Sequence, residues 1–383
     1  MRHLILTLDF PPLHDGGVAR SMDETARALT AAGQSVRVLT RGSGEDVTRH
    51  DASYPAAVTR WWGHHWQKIH PFLMALYLPR VGREEPGAIV HTSTWEVAPA
   101  IQSRAGRYGW KVFVHAQGRE IAGSFTDPRK LARLKRALQA ADAVLPISRH
   151  LADLVREAGA APERVHLIPP SIDARRVQGG RGDRFRSRFN LGTRPVLLTL
   201  ARLVDRKGQD TVIRSLPGIL RGIPDLTYVL AGRGDYRDSL QQLARDLKVE
   251  TNVVFTDFVA DHDIPDIYAA ADAYVMVSRE GREAGDIEGF GITYLEASAA
   301  GLPVIAGNTA GAVDAVEHGV TGLLVDPTNV QAVGQAVLDV LRNPERARAL
   351  GEAGKARVHR DFSLETRAAK IIRIAEQAAR SRL

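Results

Sequence analysis

At 383 residues the chain is long for one core and comfortable for two domains. It is 44% hydrophobic and 25% charged, ordinary for a globular protein, and the absence of cysteine excludes a disulfide framework, a thiolate metal site and a cysteine nucleophile. The net charge of +7 favours anionic partners. No nucleic-acid module and no regular interleaving of aromatic with basic residues accompanies it, so nucleic acid is not the expected partner. A polyanionic small molecule or an anionic membrane surface accounts for the charge, and so does a merely solvated Arg-rich surface.

Residues 4–8 read as a strand, too short and too soon charged for a secretory leader. The loop that follows holds Gly16 and Gly17 and opens a helix over 18–32. Paired glycines there present bare amides to a phosphate, or simply supply a turn that needs φ > 0. The spacing predicts strands over 35–40, 88–91, 110–115, 143–147 and 165–168, with a helix over 149–158. Between them, residues 60–68 (Arg-Trp-Trp-Gly-His-His-Trp-Gln-Lys) suit a sugar face or a lipid interface, or pack their tryptophans inward. The apolar run 72–78 is too short to span a bilayer. Residues 129–136 carry five cations in eight positions, with Leu131, Leu134 and Leu138 on one side of a helix. That pattern fits contact with an anionic membrane, or a plain surface helix.

The Pro169-Pro170 break and the basic, Gly-rich stretch to about residue 188 mark a domain boundary. Alternation restarts with strands over 196–200, 227–231, 253–256, 274–277 and 303–306. Helices are expected over 209–220, 237–248 and 264–271 and into residue 300. Strands separated by helices in both halves predict an α/β protein of two doubly wound, Rossmann-like domains, residues 1–170 and 171–363. The polar helix 364–383 is expected to pack back on the first. Ligand is expected at the carboxyl ends of the strands, in a cleft between the facing domains.

Three segments carry chemistry. Arg202 and Lys207 sit in a loop after a strand, placed to neutralise a diphosphate as it gains charge. Gly232-Arg233-Gly234 lacks the third glycine of a dinucleotide fingerprint, position 237 being Arg, and Phe258-Val259 is a weak candidate for a base pocket. The third segment, Glu288-Gly-Phe-Gly-Ile-Thr-Tyr-Leu-Glu296, sets two carboxylates eight positions apart. Continuous helix over that span would put one at the mouth and one about two turns in. Free amides for phosphate and carboxylates for hydroxyls suit a nucleotide sugar.

As a set, Gly16-Gly17, Arg202 with Lys207, and the Glu-x7-Glu pair resemble the family-4 glycosyltransferases, which have the GT-B fold and transfer sugar with retention. The likeness of the second half spans residues 196–326. Its two motifs, from Arg202 and from Asp286, are most similar to GDP-mannose-dependent phosphatidylinositol mannosyltransferases. The resemblance implies that Arg202 and Lys207 hold the diphosphate, Glu288 the transferred sugar and Glu296 the ribose. It implies further that the amides around Phe290, Gly291 and Ile292 meet the phosphates and that Gly16-Gly17 closes on them. The family often has a His beside Gly-x-Glu at a first-domain strand end, where this chain reads His115-Ala-Gln117-Gly118-Arg-Glu120. Aligning Gly118-Arg-Glu120 selects Gln117 as the sugar contact; selecting His115 needs a two-residue insertion.

The expected enzyme is a retaining hexosyltransferase that needs no metal or other cofactor, since no Asp-x-Asp is placed for a divalent ion and Arg202 and Lys207 can stabilise the leaving diphosphate. GDP-mannose is the favoured donor and a UDP-glucose or UDP-N-acetylglucosamine donor the alternative. The acceptor is a hydroxyl of a glycan, lipid or small molecule. A GT-B sugar-nucleotide epimerase and a non-catalytic nucleotide-sugar-binding protein are the competing classes. The expected location is cytoplasmic, with peripheral contact at the inner membrane face as an option.

Overall fold

Short strands buried on both faces set the architecture. The computed structural model describes residues 1–13, 16–42, 44–61 and 70–380, with side chains for all of these but 70–73 and 75. The chain divides into two units, Met1–Ser171 with Leu364–Leu383, and Ile172–Ser363.

In the first unit the strands are β1 (Arg2–Leu6), β2 (Ser35–Arg41), β3 (Ala57–Trp61), β4 (Ile89–Thr92), β5 (Lys111–Ala116) and β6 (Ala143–Pro146). They form a parallel sheet in the order β3-β2-β1-β4-β5-β6. In the second unit they are β7 (Val196–Leu200), β8 (Thr227–Ala231), β9 (Val253–Asp257), β10 (Ala273–Met276), β11 (Val304–Gly307) and β12 (Gly322–Val325). These too are parallel, in the order β12-β11-β10-β7-β8-β9. Strands such as β4, β6, β10 and β11 are buried at every position, as a sheet covered by helices on both faces requires.

Strand order reverses between β1 and β4 in the first unit and between β7 and β10 in the second, the switch points where loops at the carboxyl ends diverge and leave room for a ligand. Three strands differ from the periodicity reading, one of them edge strand β12, which it did not predict. Residues 57–61, which include the start of the aromatic stretch, form edge strand β3, Trp61 lying level with Arg41 of β2. Residues 165–168 lie beside β6 through the His166 N–H to Val144 O and Ile168 N–H to Pro146 O bonds, but only Val165 makes a bridge. The double proline that follows removes the next donors. Residues 62–69 of the aromatic stretch lie outside the described residues. Among those described, no helix is long and apolar enough to cross a membrane.

The C-terminal helix Leu364–Arg380 joins the first unit, where Ile371, Ile374 and Ala375 enter the core with Met22 and Leu29 of the helix Gly17–Ala31. Arg367, 3% exposed, lies between them. Its guanidinium donates to Thr25 Oγ1 at 2.9 Å and Ser21 Oγ at 3.2 Å, and also to the carbonyl of Pro169. Burial lowers its pKa to about 10, opposed by the charge of Glu24. Arg367→Met removes those donors from buried acceptors and should cost about 3 kcal/mol of first-unit stability, read as a lowered urea midpoint; an unchanged midpoint would show the helix to be held by its apolar face alone.

Candidate active site

The loop after β7 turns through Asp205–Lys207 into the helix Gln209–Leu220. Gly208 makes this close approach feasible: its φ is +70°, and a Cβ there would lie 2.1 Å from the carbonyl oxygen of Val277 at the end of β10. Lys207 is thereby carried against Glu288. Oε2 of Glu288 accepts from Lys207 Nζ at 2.5 Å, Arg206 Nη1 at 2.7 Å and Ser278 Oγ at 3.2 Å. Glu288 is 7% exposed. Burial pushes its carboxyl up, but the charges of Lys207 and Arg206 more than offset this and hold it down at about 2. Burial draws the Lys207 ammonium down, opposed mainly by that carboxylate. Arg202 has an exposed side chain, near enough for its charge to act on Lys207.

Around this ion group Arg279 forms a brace. Its guanidinium bonds Asp205 at 2.8 Å, Asp210 at 3.0 Å and Thr211 at 2.9 Å, and its N–H donates to the carbonyl of Arg206 at 2.8 Å. Helix Ile292–Ala299 begins only at Ile292, after Gly291 at φ +90°. Glu296 is therefore just over one turn into the helix rather than two, and the residues from Glu288 to Gly291 are a loop. Glu296 is 4% exposed and accepts from Tyr268 Oη at 3.0 Å. Phe290 is buried with its ring 5.7 Å from that of Phe362, so it offers main-chain groups, not its side chain. The first amides of the helix have no acceptor within it and carry the positive end of its dipole. Tyr274 Oη bonds Thr293 Oγ1 at 2.7 Å and Tyr294 Oη bonds the Met276 carbonyl at 2.6 Å, fixing the helix on β10.

Gly16 and Gly17, His115 and Gln117 belong to the first unit. Gly16 caps the helix after β1 at φ −88°, and a Cβ at either glycine would meet nothing within 4 Å. A turn requiring φ > 0 is thus not the reason for the pair. His115, at the end of β5, is fully buried. It ends a row of imidazoles crossing three strands: His3 Nδ1 lies 3.0 Å from His91 Nε2, and His91 Nδ1 lies 3.1 Å from His115 Nε2. Gln117 is 8% exposed, with its Nε2 buried and without a hydrogen-bond partner. Its N–H is held by Glu120 Oε1 at 2.5 Å.

Sequence reasoning put Lys207 and Glu288 in one site, and the two are in direct contact, with Arg202 near enough to act on Lys207. It missed Arg206, Ser278 and the Arg279 brace. Arg206 stands within the same short motif, but only the turn geometry aims its side chain at Glu288. Gly232, whose Cβ would come 2.1 Å from the Ala201 carbonyl, serves close packing of the loops after β7 and β8. Phe258 is 61% exposed with the Arg233 guanidinium 5.5 Å from its ring centre. In the basic helix Pro128–Gln139, Leu134 and Leu138 face inward and Leu131 is half-buried, while Arg129, Arg133, Lys135 and Arg136 are exposed.

Two parallel doubly wound units, each with loops at a strand-order switch, make this a protein of the GT-B class. Residues 15–176 match Glycosyltransferase Family 4 and residues 182–357 match the glycosyl transferases group 1. A GDP-mannose-dependent alpha-(1-6)-phosphatidylinositol monomannoside mannosyltransferase of Mycolicibacterium smegmatis is 37% identical over 381 residues, 96% of each chain. An enzyme of the same name from Mycobacterium tuberculosis is 33% identical over 97% of each. Among solved structures, Anabaena HepE in complex with UDP superposes with a TM-score of 0.80 at 20% identity, over 98% of this chain and 100% of that one. Sucrose-phosphate synthase of Thermosynechococcus elongatus reaches 0.77 at 22% identity, over 99% of each; at such identities the likeness is one of fold. The chain belongs to glycosyltransferase family 4 and is a hexosyltransferase that draws on a nucleotide-sugar donor.

The imidazole row has a consequence for stability. Burial is the largest cause lowering all three, His3 to about 4 and His115 to about 3, with His91 held well below its usual value. Folded-state values below the unfolded value near 6.5 mean that the contribution is complete above about pH 6.5 and is lost as pH falls toward 4. Unfolding free energy should drop by about 1.4 kcal/mol per pH unit for each imidazole that stays neutral. Denaturant titrations at a series of pH values test this, and stability that is flat between pH 6.5 and 4.5 would contradict it.

Proposed function

We propose that the enzyme moves mannose from GDP-mannose, with retention of configuration, to a hydroxyl of a mannosylated phosphatidylinositol. The observation that carries the reading is the ion group at Glu288, a carboxylate whose Oε2 is held by Lys207, Arg206 and Ser278 in the loop that leads into the helix Ile292–Ala299. Full-length likeness to phosphatidylinositol monomannoside mannosyltransferases supports the choice of donor and acceptor. In this reading Lys207 and Arg202 take the diphosphate, together with the amides around Phe290, Gly291 and Ile292 and those of Gly16 and Gly17. Glu296 takes the ribose and Glu288 the mannose. Among the described residues, every hydrogen bond to the Glu288 carboxylate goes to Oε2, which leaves Oε1 for a sugar hydroxyl.

The bond from the anomeric carbon to the diphosphate breaks on the same face as the bond to the acceptor oxygen forms, and the departing phosphate oxygen takes the acceptor proton. Lys207 and Arg202 supply the charge that stabilises the leaving group, so a metal is not needed. Of the two strand-end candidates, Gln117 suits contact with the sugar better than His115. Each keeps a buried nitrogen without a partner, Gln117 Nε2 and His115 Nδ1, but Gln117 is 8% exposed whereas His115 is fully buried and its Nε2 is engaged by His91.

Thermal shifts with GDP, UDP, ADP and their sugars test the donor, because stabilisation follows the logarithm of ligand concentration over Kd. GDP and GDP-mannose should stabilise most, and labelled mannose should pass to a phosphatidylinositol monomannoside in the presence of EDTA. Stabilisation by UDP but not GDP would overturn the mannose assignment.

A lipid-linked acceptor calls for peripheral contact with an anionic membrane. The exposed Arg129, Arg133, Lys135 and Arg136 of the helix Pro128–Gln139 supply the charge. With Leu134 and Leu138 turned inward the contact is mainly electrostatic, so sedimentation with anionic vesicles should weaken as salt rises. Equal sedimentation with neutral vesicles, or none at low salt, would count against it.

A further inference from the structure

Glu288 holds two cations on one oxygen, yet the donor reading above, on which this inference rests, assigns one of them elsewhere. When Lys207 turns to the diphosphate, a carboxylate 7% exposed loses a charge that keeps it ionised. A buried carboxylate without a cation takes up a proton.

Arg206 is built differently from Lys207. Its Nη1 donates to Glu288 at 2.7 Å while its Nε lies 3.3 Å from Asp286 Oδ1, so one planar fork spans two carboxylates two residues apart on the same loop. Its side chain is 11% exposed. Its main chain is tied as well, through the Arg279 N–H bond to the Arg206 carbonyl. Among the described residues Lys207 has a single ammonium contact, and Arg202, the other cation assigned to the diphosphate, is near enough for its charge to act on it. The remaining groups facing Glu288 cannot replace a cation: Ser278 gives a neutral hydroxyl, and the phenols of Tyr274 and Tyr294 are kept neutral by burial.

We propose that Arg206 is a positioning residue for sugar transfer: it stays on Glu288 as a permanent counter-charge while Lys207 exchanges that carboxylate for the diphosphate of the donor. Glu288 then remains ionised, with Oε1 presented to the sugar. The diphosphate receives Lys207 and Arg202, and the carboxylate is left beside the anomeric carbon as positive charge develops there.

The test is calorimetric titration of GDP-mannose into the full-length protein at about pH 6, in two buffers of different ionisation enthalpy, which counts the protons exchanged on binding. Wild type and Arg206→Lys should take up almost none. Arg206→Gln should take up between about half and one proton per donor bound. Its kcat should fall at least about ten-fold while its affinity for donor changes by less than about three-fold; Lys207→Ala should instead weaken donor binding. Arg206→Lys should restore most of kcat. Proton exchange in Arg206→Gln equal to wild type overturns the proposal, as does a loss of affinity matching that of Lys207→Ala, which would make Arg206 a phosphate ligand. A wild-type protein that binds no nucleotide sugar overturns the donor reading itself, and this proposal with it, because Lys207 would have nothing to exchange for. Donor binding by wild type with no effect in Arg206→Gln removes only the present one.

Discussion

The second unit is organised by one constraint: a carboxylate almost sealed from water has to stay charged. Glu288 meets it by gathering Lys207, Arg206 and Ser278 on a single oxygen. That convergence requires β7 and β10 to be neighbours, since the cations come from the loop after one and the hydroxyl from the end of the other. It requires Gly208, because any side chain would strike the Val277 carbonyl. It also requires Arg279, whose bonds to Asp205, Asp210 and the Arg206 carbonyl hold the cationic turn from behind. The parallel sheet, the tight turn and the outer ion pairs all support that one buried charge.

The first unit answers the same problem of buried polarity without charge. His3, His91 and His115 bond to one another as neutral rings. Both nitrogens of His91 are engaged, one as donor and one as acceptor, so the row has to run in a single direction, and His3 Nε2 and His115 Nδ1 at its ends are buried without a partner. His3 lies level with Ile89, and His91 level with Ile5 and Phe113, so the row climbs two residues at each strand from the start of β1 to the end of β5. Arg367, whose charge acts on His91 and His115, is buried beside this row and is matched by hydroxyls and a carbonyl.

Much of the fold was legible because parallel strands buried on both faces leave continuous apolar runs, and the helices between them keep a 3.6-residue period. Edge strand β3 was not legible: its residues are only partly buried, so no apolar run announces it. The site was legible where residue type alone limits the chemistry, as at Lys207 and Glu288. It was not legible where direction mattered. Arg202 and Arg206 are chemically alike and four positions apart, but a short helical turn aims only the second at the carboxylate. The leucines at 134 and 138 mark a helix face equally well for lipid or for core, and the core has them. His115 looked like any strand-end imidazole until two others were found across the sheet.

Spacing and periodicity alone determined a two-unit α/β chain with a cationic loop and a Gly-Phe-Gly helix start in its second half, and the resemblance of those motifs to family-4 glycosyltransferases supplied its class. Such features are local: they need only a strand to end, a glycine to open the backbone and a helix to begin. The tertiary structure decided which cation holds Glu288, that Glu296 sits one turn into its helix, and that three histidines form a buried row. Those outcomes depend on which strands lie side by side and where loops start and stop, and neither is encoded in any single segment.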